Sequence, residues 1–302
     1  MELYIKGVDI TASDQSIRCC KYYDYADGHA DTLDITFNNL YDEWKGWQLS
    51  AGDTIRVKDN VDTGTMFVSK TSLVNGDYSI HAVSNPIATL DLKTSMKENI
   101  SLKEMIKEVC NDSSMEMCLV DITDYRYVHV ERVNMNAVNF LNYLLKREGY
   151  LLKIFDKKVI AYNEKKIEFS GTDIEITEEG LISNPSFYTS DTFLVSQVSN
   201  RYKKVTTKVS CNVPGRKVIT SMPVYDKAES IRFSKNFMRE SNKYEHTGVL
   251  NIDDSRVVAG VMINLSGDFS IWNGNNFVYQ VIHDIVNNEK RVMIRKPIEG
   301  DY

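Results

Sequence analysis

The chain has 302 residues, of which 42% are hydrophobic and 26% charged, with only 15 glycines and 5 prolines; this excludes a disordered or fibrous protein and leaves room for two or three cores. A formal net charge of −6 excludes a general nucleic-acid binder, which needs a positive footprint to displace counterions from phosphates. The N-terminal "MELYIKGVDITASDQS" lacks the apolar core of a signal peptide, no run approaches the roughly 18 apolar residues of a membrane span, and 5 cysteines are an odd number in so long a chain, so synthesis in the cytoplasm with reduced thiols is expected.

From Ala30 to about Val83 the pattern has period two: Leu33, Ile35 and Phe37 alternate with Thr32, Asp34 and Thr36, and Ile55 and Val57 follow in the same manner. The runs "TMFVSKTSLV" and "DYSIHAVS" flank Asn75-Gly76, the dipeptide that best tolerates the positive φ angles of a two-residue hairpin. Residues 1–91 therefore read as an antiparallel sheet or barrel. Adjacent Cys19 and Cys20 read as strand residues pointing to opposite faces.

The period changes after Asn85-Pro86. "SLKEMIKEVC" opens with Ser101 and Glu104 in capping-box spacing and places Leu102, Met105, Ile106 and Val109 on one helical face. A strand-like "YRYVHVERV" comes next, then a helix with Val138, Leu141, Leu144 and Leu145 on one side and Gly149 at its end, then a hairpin through "DKK". Residues 92–163 thus form a small α/β unit inserted between two β regions. In 164–302 short strands return, with "FLVSQVSNRYKKVTTKVSC" the longest alternating run. The polar stretch from Val213 to Gly248 reads as a long crossing or exposed loop, and Phe277, Tyr279, Val281, His283 and Ile285 share one face of a closing strand.

Few constellations point to chemistry. Asp27, His29 and Asp31 alternate as metal ligands on a strand would, but a polar turn feeding the strand at Leu33 explains them as well, and no further His or Cys stands at a recognised spacing. His283 on an apolar face reads as a packed, hydrogen-bonded histidine rather than a base. There is no phosphate loop, nucleophile elbow or zinc-helix motif, so no cofactor, metal or catalytic residue is assigned. Trp44 and Trp47 raise a sugar-stacking platform, which keeps a peptidoglycan- or carbohydrate-binding module as an alternative reading, and a carboxylate pair without a recognised motif keeps a cell-wall hydrolase of a tail particle as another.

The chain also repeats itself. "AGDTIRVKDNVDTGTMFVSK" and "AGVMINLSGDFSIWNGNNFVYQ" align Ala51-Gly52 with Ala259-Gly260, Gly64 with Gly274, and Phe67-Val68 with Phe277-Val278 across a two-residue gap, each followed by a hairpin. A duplicated β domain is expected, and two such domains per chain let three chains present six similar surfaces.

"ADTLDITFNNLYDEWKGWQLSAGDTIRV" resembles the first β domain of the phage late control protein D and baseplate-hub family. "SLKEMIKEVC", "YRYVHVERVNMNAVNFLNYLLKREGYLLKIF" and "VIAYN" resemble that family's inserted α/β domain. "VVAGVMINL" and "GNNFVYQVIHDIVNNEKRVMIRKP" resemble its closing strands, where the family's Tyr-x-Val-x-x-His is approached by Tyr279, Val281 and His283, with the histidine one position early. The resemblance spans nearly the whole chain and extends to hubs of the PBSX-prophage type and of R-type bacteriocins. It implies an α+β, mainly β fold with two tail-tube-like antiparallel β-barrels and an inserted α/β domain. It further implies a non-enzymatic homotrimer between a hexameric tail tube and a trimeric central spike, incorporated into a virion tail or bacteriocin particle. Since Tyr302 lies eight residues beyond Ile294, spike and hydrolase are expected on separate proteins. Asp31, Asp34 and Asp284 are the candidates for the lumen of such a ring or for its subunit contacts.

Overall fold

The computed structural model describes residues 1–11, 16–39, 44, 49–192 and 194–298. The first β unit comprises β1 (Glu2–Ile5), β2 (Val8–Asp9), β3 (Ile17–Tyr25), β4 (Thr32–Asn38), β5 (Thr54–Lys58), β6 (Met66–Val74) and β7 (Asp77–Val83). Alternation does what it predicts: Leu33, Ile35 and Phe37 enter a core with Leu3, Ile5, Tyr22, Val57 and Ile80, while Thr32, Asp34 and Thr36 face outward. Asn75 and Gly76 have φ of 52° and 81°, the left-handed pair that a two-residue hairpin requires.

The insert follows as β8 (Lys93–Ser101), α1 (Leu102–Asp112), β9 (Glu116–Val120), β10 (Arg126–Met135), α2 (Ala137–Glu148), β11 (Tyr150–Phe155) and β12 (Lys158–Asn163). Ser101 and Glu104 form the expected reciprocal capping box on α1, and Gly149 closes α2 at φ 77°. β8 pairs with β10, while β12 lies between β11 and a parallel β9. The apolar faces of both helices meet the inner faces of these strands in a second core.

Beyond the insert lie α3 (Glu164–Glu168), β13 (Glu175–Thr177), β14 (Ser186–Thr189), β15 (Val195–Tyr202), β16 (Val205–Ser210), β17 (Arg216–Thr220), α4 (Lys227–Asn242), β18 (His246–Ile252), β19 (Met262–Ser266), β20 (Gly274–Asp284) and β21 (Glu289–Arg295). The stretch expected to be a crossing or loop is instead a strand and the 16-residue helix α4. That helix has no apolar stripe because small and polar side chains, Ser230, Ser234 and Asn242, occupy its inward face beside Phe233 and Met238. Phe233 joins the core of the insert and Met238 packs on Val195 and Val198 of β15, so the segment serves the α/β side of the molecule.

The rest of this region is a second β unit, and it copies the first. The sheet order β3-β4-β7-β6-β5-β1 reappears as β14-β18-β21-β20-β19-β13, antiparallel throughout except that β13 runs parallel to β19 where β1 runs antiparallel to β5. Gly52 and Gly260 both take positive φ, 93° and 97°. Gly52 donates to Val68 O and Val68 to Asp53 O, at 2.8 Å each; Gly260 donates to Val278 O and Val278 to Val261 O, at 2.8 and 2.9 Å. Each long strand then bulges after that valine, at Val68/Lys70 and at Val278/Gln280. Gly64 and Gly274 match as well, at φ 63° and 88°. The molecule is thus α+β, mainly β, with two tube-like antiparallel units and an α/β insert. β20 also pairs with β3, which merges both units into one 13-stranded sheet.

Candidate functional site

The β20–β3 junction is where the three parts of the chain meet. Asp24, near the end of β3, and Asp31, at the end of the β3–β4 turn, are buried with Lys153 of β11 between them: its ammonium contacts Asp24 and lies 3.2 Å from Asp31. Asp24 also accepts from Ala259 N at 2.8 Å, next to the repeated glycine, and Asp31 from Tyr22 OH and Tyr25 N, both at 2.8 Å. First unit, insert and second unit therefore converge on two carboxylates and one lysine. Burial, working against the Lys153 ammonium, raises the Asp31 carboxyl to about 6. The same burial would lower Lys153, but the paired carboxylates outweigh it and hold the ammonium above its ordinary value.

A second buried charge cluster ties the exit of the insert to the closing strand. Arg295 of β21, fully buried, binds Glu164 at 2.6 Å and also Glu168, both on α3. Arg239 of α4 reaches Glu168 at 2.5 Å, and Lys243 lies 3.6 Å from Glu164. Burial raises the Glu164 carboxyl, yet Arg295, Lys243 and Arg239 more than reverse it and leave it below the usual range. Sequence reasoning assigned none of these residues. The one signal available was for α4: Asp226 caps Glu229 N at 2.8 Å while Glu229 accepts from Tyr225 N, a Ser-x-x-Glu-like spacing in a polar stretch.

The residues singled out from the sequence fall in different places. Asp31 is 1% exposed and sits inside the junction, whereas Asp34 and Asp284 share the outer face of the sheet. Cross-strand partners run Glu289, Asp284, Lys21, Asp34, His81, Lys70, a row of three acids and three bases that alternates only in its middle. Lys21 lies 3.6 Å from Asp284, and His81 Nδ1 2.6 Å from Asp34. Asp27 and His29 pair with each other at 2.5 Å while Asp31 turns inward, so the three do not converge on one point; among the described residues no group of three or more His, Cys, Asp or Glu is placed to hold a metal ion. Cys20 is buried and Cys19 half-buried on opposite faces, and burial pushes the Cys20 thiol up to about 12.

Two expectations change. His283 is 2% exposed and packed as expected, but it stacks on Tyr22 at 5.6 Å, and neither ring nitrogen has a hydrogen-bond partner among the described residues; burial pushes it down to about 4. Trp44 is 6% exposed and packs between Phe37 and Tyr78, at 4.0 and 5.9 Å, which removes it from any sugar platform. Trp47 lies outside the described residues.

No family model and no curated protein matches the chain. Solved structures do. The 43 kDa tail protein of prophage MuSo2 from Shewanella oneidensis superposes with a TM-score of 0.75 over 99% of both chains at 11% identity. A tail protein from Neisseria meningitidis MC58 reaches 0.73 over 98% of this chain and 95% of its own, at 10% identity. A type VI secretion component of E. coli, itself similar to the T4 tail proteins gp27 and gp5, reaches 0.62 over 99% and 77%, also at 10% identity. The chain has the fold of phage tail proteins, and these neighbours agree with the late control protein D and baseplate-hub resemblance read from its residues.

Proposed function

We propose that this chain is the central hub of a contractile phage tail or a phage-derived bacteriocin of the R type: a homotrimer that joins a hexameric tail tube to a trimeric central spike. The observation that carries the reading is the duplication, six strands in the same order with the same glycines, hydrogen bonds and bulge, inside a fold shared end to end with tail proteins. Three chains with two like units each present six like units to a six-fold tube and three inserts to a three-fold spike. In this division residues 1–91 and 164–302 supply the tube-like units and 92–163 the insert, and the two buried charge clusters hold them as one piece. A symmetry adaptor of this kind works by shape and needs no bond chemistry.

The outer face with Asp34 and Asp284 is the proposed lumen or subunit face, lined by acids and bases together rather than by acids alone. Tail tube, spike and tape-measure proteins are its partners, and the assembled particle is where it resides. The mass in solution across a range of concentrations tests the reading: a species near three times 34.6 kDa is expected. A chain that stays monomeric at every concentration, alone and with tube protein added, overturns it.

A further inference from the structure

The duplication shows which strand edges the chain has used and which it has left open. Lys70–Val74 of β6 corresponds to Gln280–Asp284 of β20, since both runs follow the bulge and pair onward in the same way, Lys70 with His81 and Gln280 with Met293. Ser186–Thr189 of β14 corresponds to Lys21–Asp24 of β3. The link runs through matched neighbours: Thr32 faces Val83 and Tyr23, and Thr247 faces Arg295 and Tyr188. Within the chain Gln280–Asp284 pairs with β3, but among the described residues neither Lys70–Val74 nor Ser186–Thr189 has a strand on its corresponding outer side. His283 at the closed junction is 2% exposed, while Leu73 in the matching place is 54% exposed, Val74 60% and Tyr188 57%.

We propose that Lys70–Val74 of one copy pairs antiparallel with Ser186–Thr189 of the next copy, repeating the β20–β3 junction between chains; this rests on the ring reading above. Carrying the register across sets Thr71 opposite Thr189, Ser72 opposite Tyr188, Leu73 opposite Phe187 and Val74 opposite Ser186. At the in-chain junction Ala26 donates to Tyr279 O and Ile285 to Cys20 O, so alternate residues turn their backbone groups across the seam. The same alternation turns Thr71, Leu73, Phe187 and Thr189 toward the seam. Pro185, which has no N–H, falls in the place of Cys20, whose carbonyl accepts there. Leu73 meets Phe187 as His283 meets Tyr22. Thr71–Val74 carries no charge, proline or further bulge, the devices that guard an edge meant to stay in water. One edge of each kind per chain makes the contact head to tail, the arrangement that closes into a ring.

The Ser72→Cys/Tyr188→Cys double variant tests the register. Directly opposed residues outside the hydrogen-bonded pairs have Cα atoms about 4.5 Å apart, inside the roughly 4.4–6.8 Å that a disulfide spans. Oxidation with diamide should give a reducible covalent species ending at three chains, with no such ladder from the unmodified chain or from either single variant alone. Mixing the two single variants should give covalent dimers and nothing larger. Thr71→Pro, whose lost N–H faces away from β7, should keep its circular dichroism and lose the trimer. A trimer by light scattering without cross-linking, or a Thr71→Pro variant that stays trimeric, overturns the pairing and leaves the ring standing. A monomer at all concentrations, alone and with tube protein added, removes the ring and the pairing with it.

Discussion

The two β units are one ladder written twice, and they differ most where something different covers them. The first unit has the apolar Val83 opposite Phe67. The second has Arg295 opposite Phe277, fully buried and spent on Glu164 and Glu168 of α3. Likewise the strand position held by Leu73 in one unit holds His283 in the other, exposed where the edge is open and buried where β3 closes it. A duplicated backbone keeps its glycines and bulges because φ and hydrogen-bond pattern cannot change without breaking the ladder, whereas its side chains are free to follow their surroundings.

Four substitutions probe that contrast. The largest effect is expected from Arg295→Met, which leaves two buried carboxylates with fewer cations and should cost about 3–5 kcal/mol in urea unfolding; a loss under about 1 kcal/mol would mean that Arg239 and Lys243 rebalance the cluster unaided. Gly52→Ala and Gly260→Ala should each cost about 1–2 kcal/mol, because both force a side chain into the left-handed region. Gly52→Ala should be the worse of the pair, since its new Cβ would stand 2.9 Å from Ile87 Cδ1 while that of Gly260 meets nothing nearer than 3.7 Å. Equal and negligible costs would show that the shared glycine geometry is not required.

The smallest effect is expected from His283→Leu, which gives the second unit the residue of the first. At neutral pH stability should change by less than about 1.5 kcal/mol, as for other swaps between side chains of similar volume. The informative reading is its pH dependence. His283 titrates near 4 when folded, below the ordinary histidine value, so the unfolded chain binds the extra proton first and stability falls as pH drops from about 6.5 toward 4. The variant should lose less stability over that window. Identical acid sensitivity in both chains would place the titration elsewhere.

Much of the local structure was legible in the residues. The capping box at Ser101 and Glu104, the Asn75-Gly76 turn, the Gly149 helix end and the repeat of Ala-Gly with Gly-x-x-Phe-Val are short-range signals, each set by backbone geometry within a few positions. α4 escaped because its inward face is lined by serines and asparagine that a hydropathy pattern reads as loop. Asp31 looked like a surface acid because its neighbours Asp27, Gly28 and His29 make a polar turn; only Lys153, arriving from another unit, makes a buried carboxylate tenable there.

The sequence by itself determined the elements, their periods and the existence of two like β units, because propensity, capping and φ preferences act over a few residues and survive in any fold. The tertiary structure alone decided that β20 closes on β3, that Arg295 and Lys153 are paired rather than exposed, and that the edges at Leu73 and Tyr188 have no strand beside them among the described residues. Those outcomes depend on contacts between residues far apart in the chain, and no local pattern encodes which edge meets which.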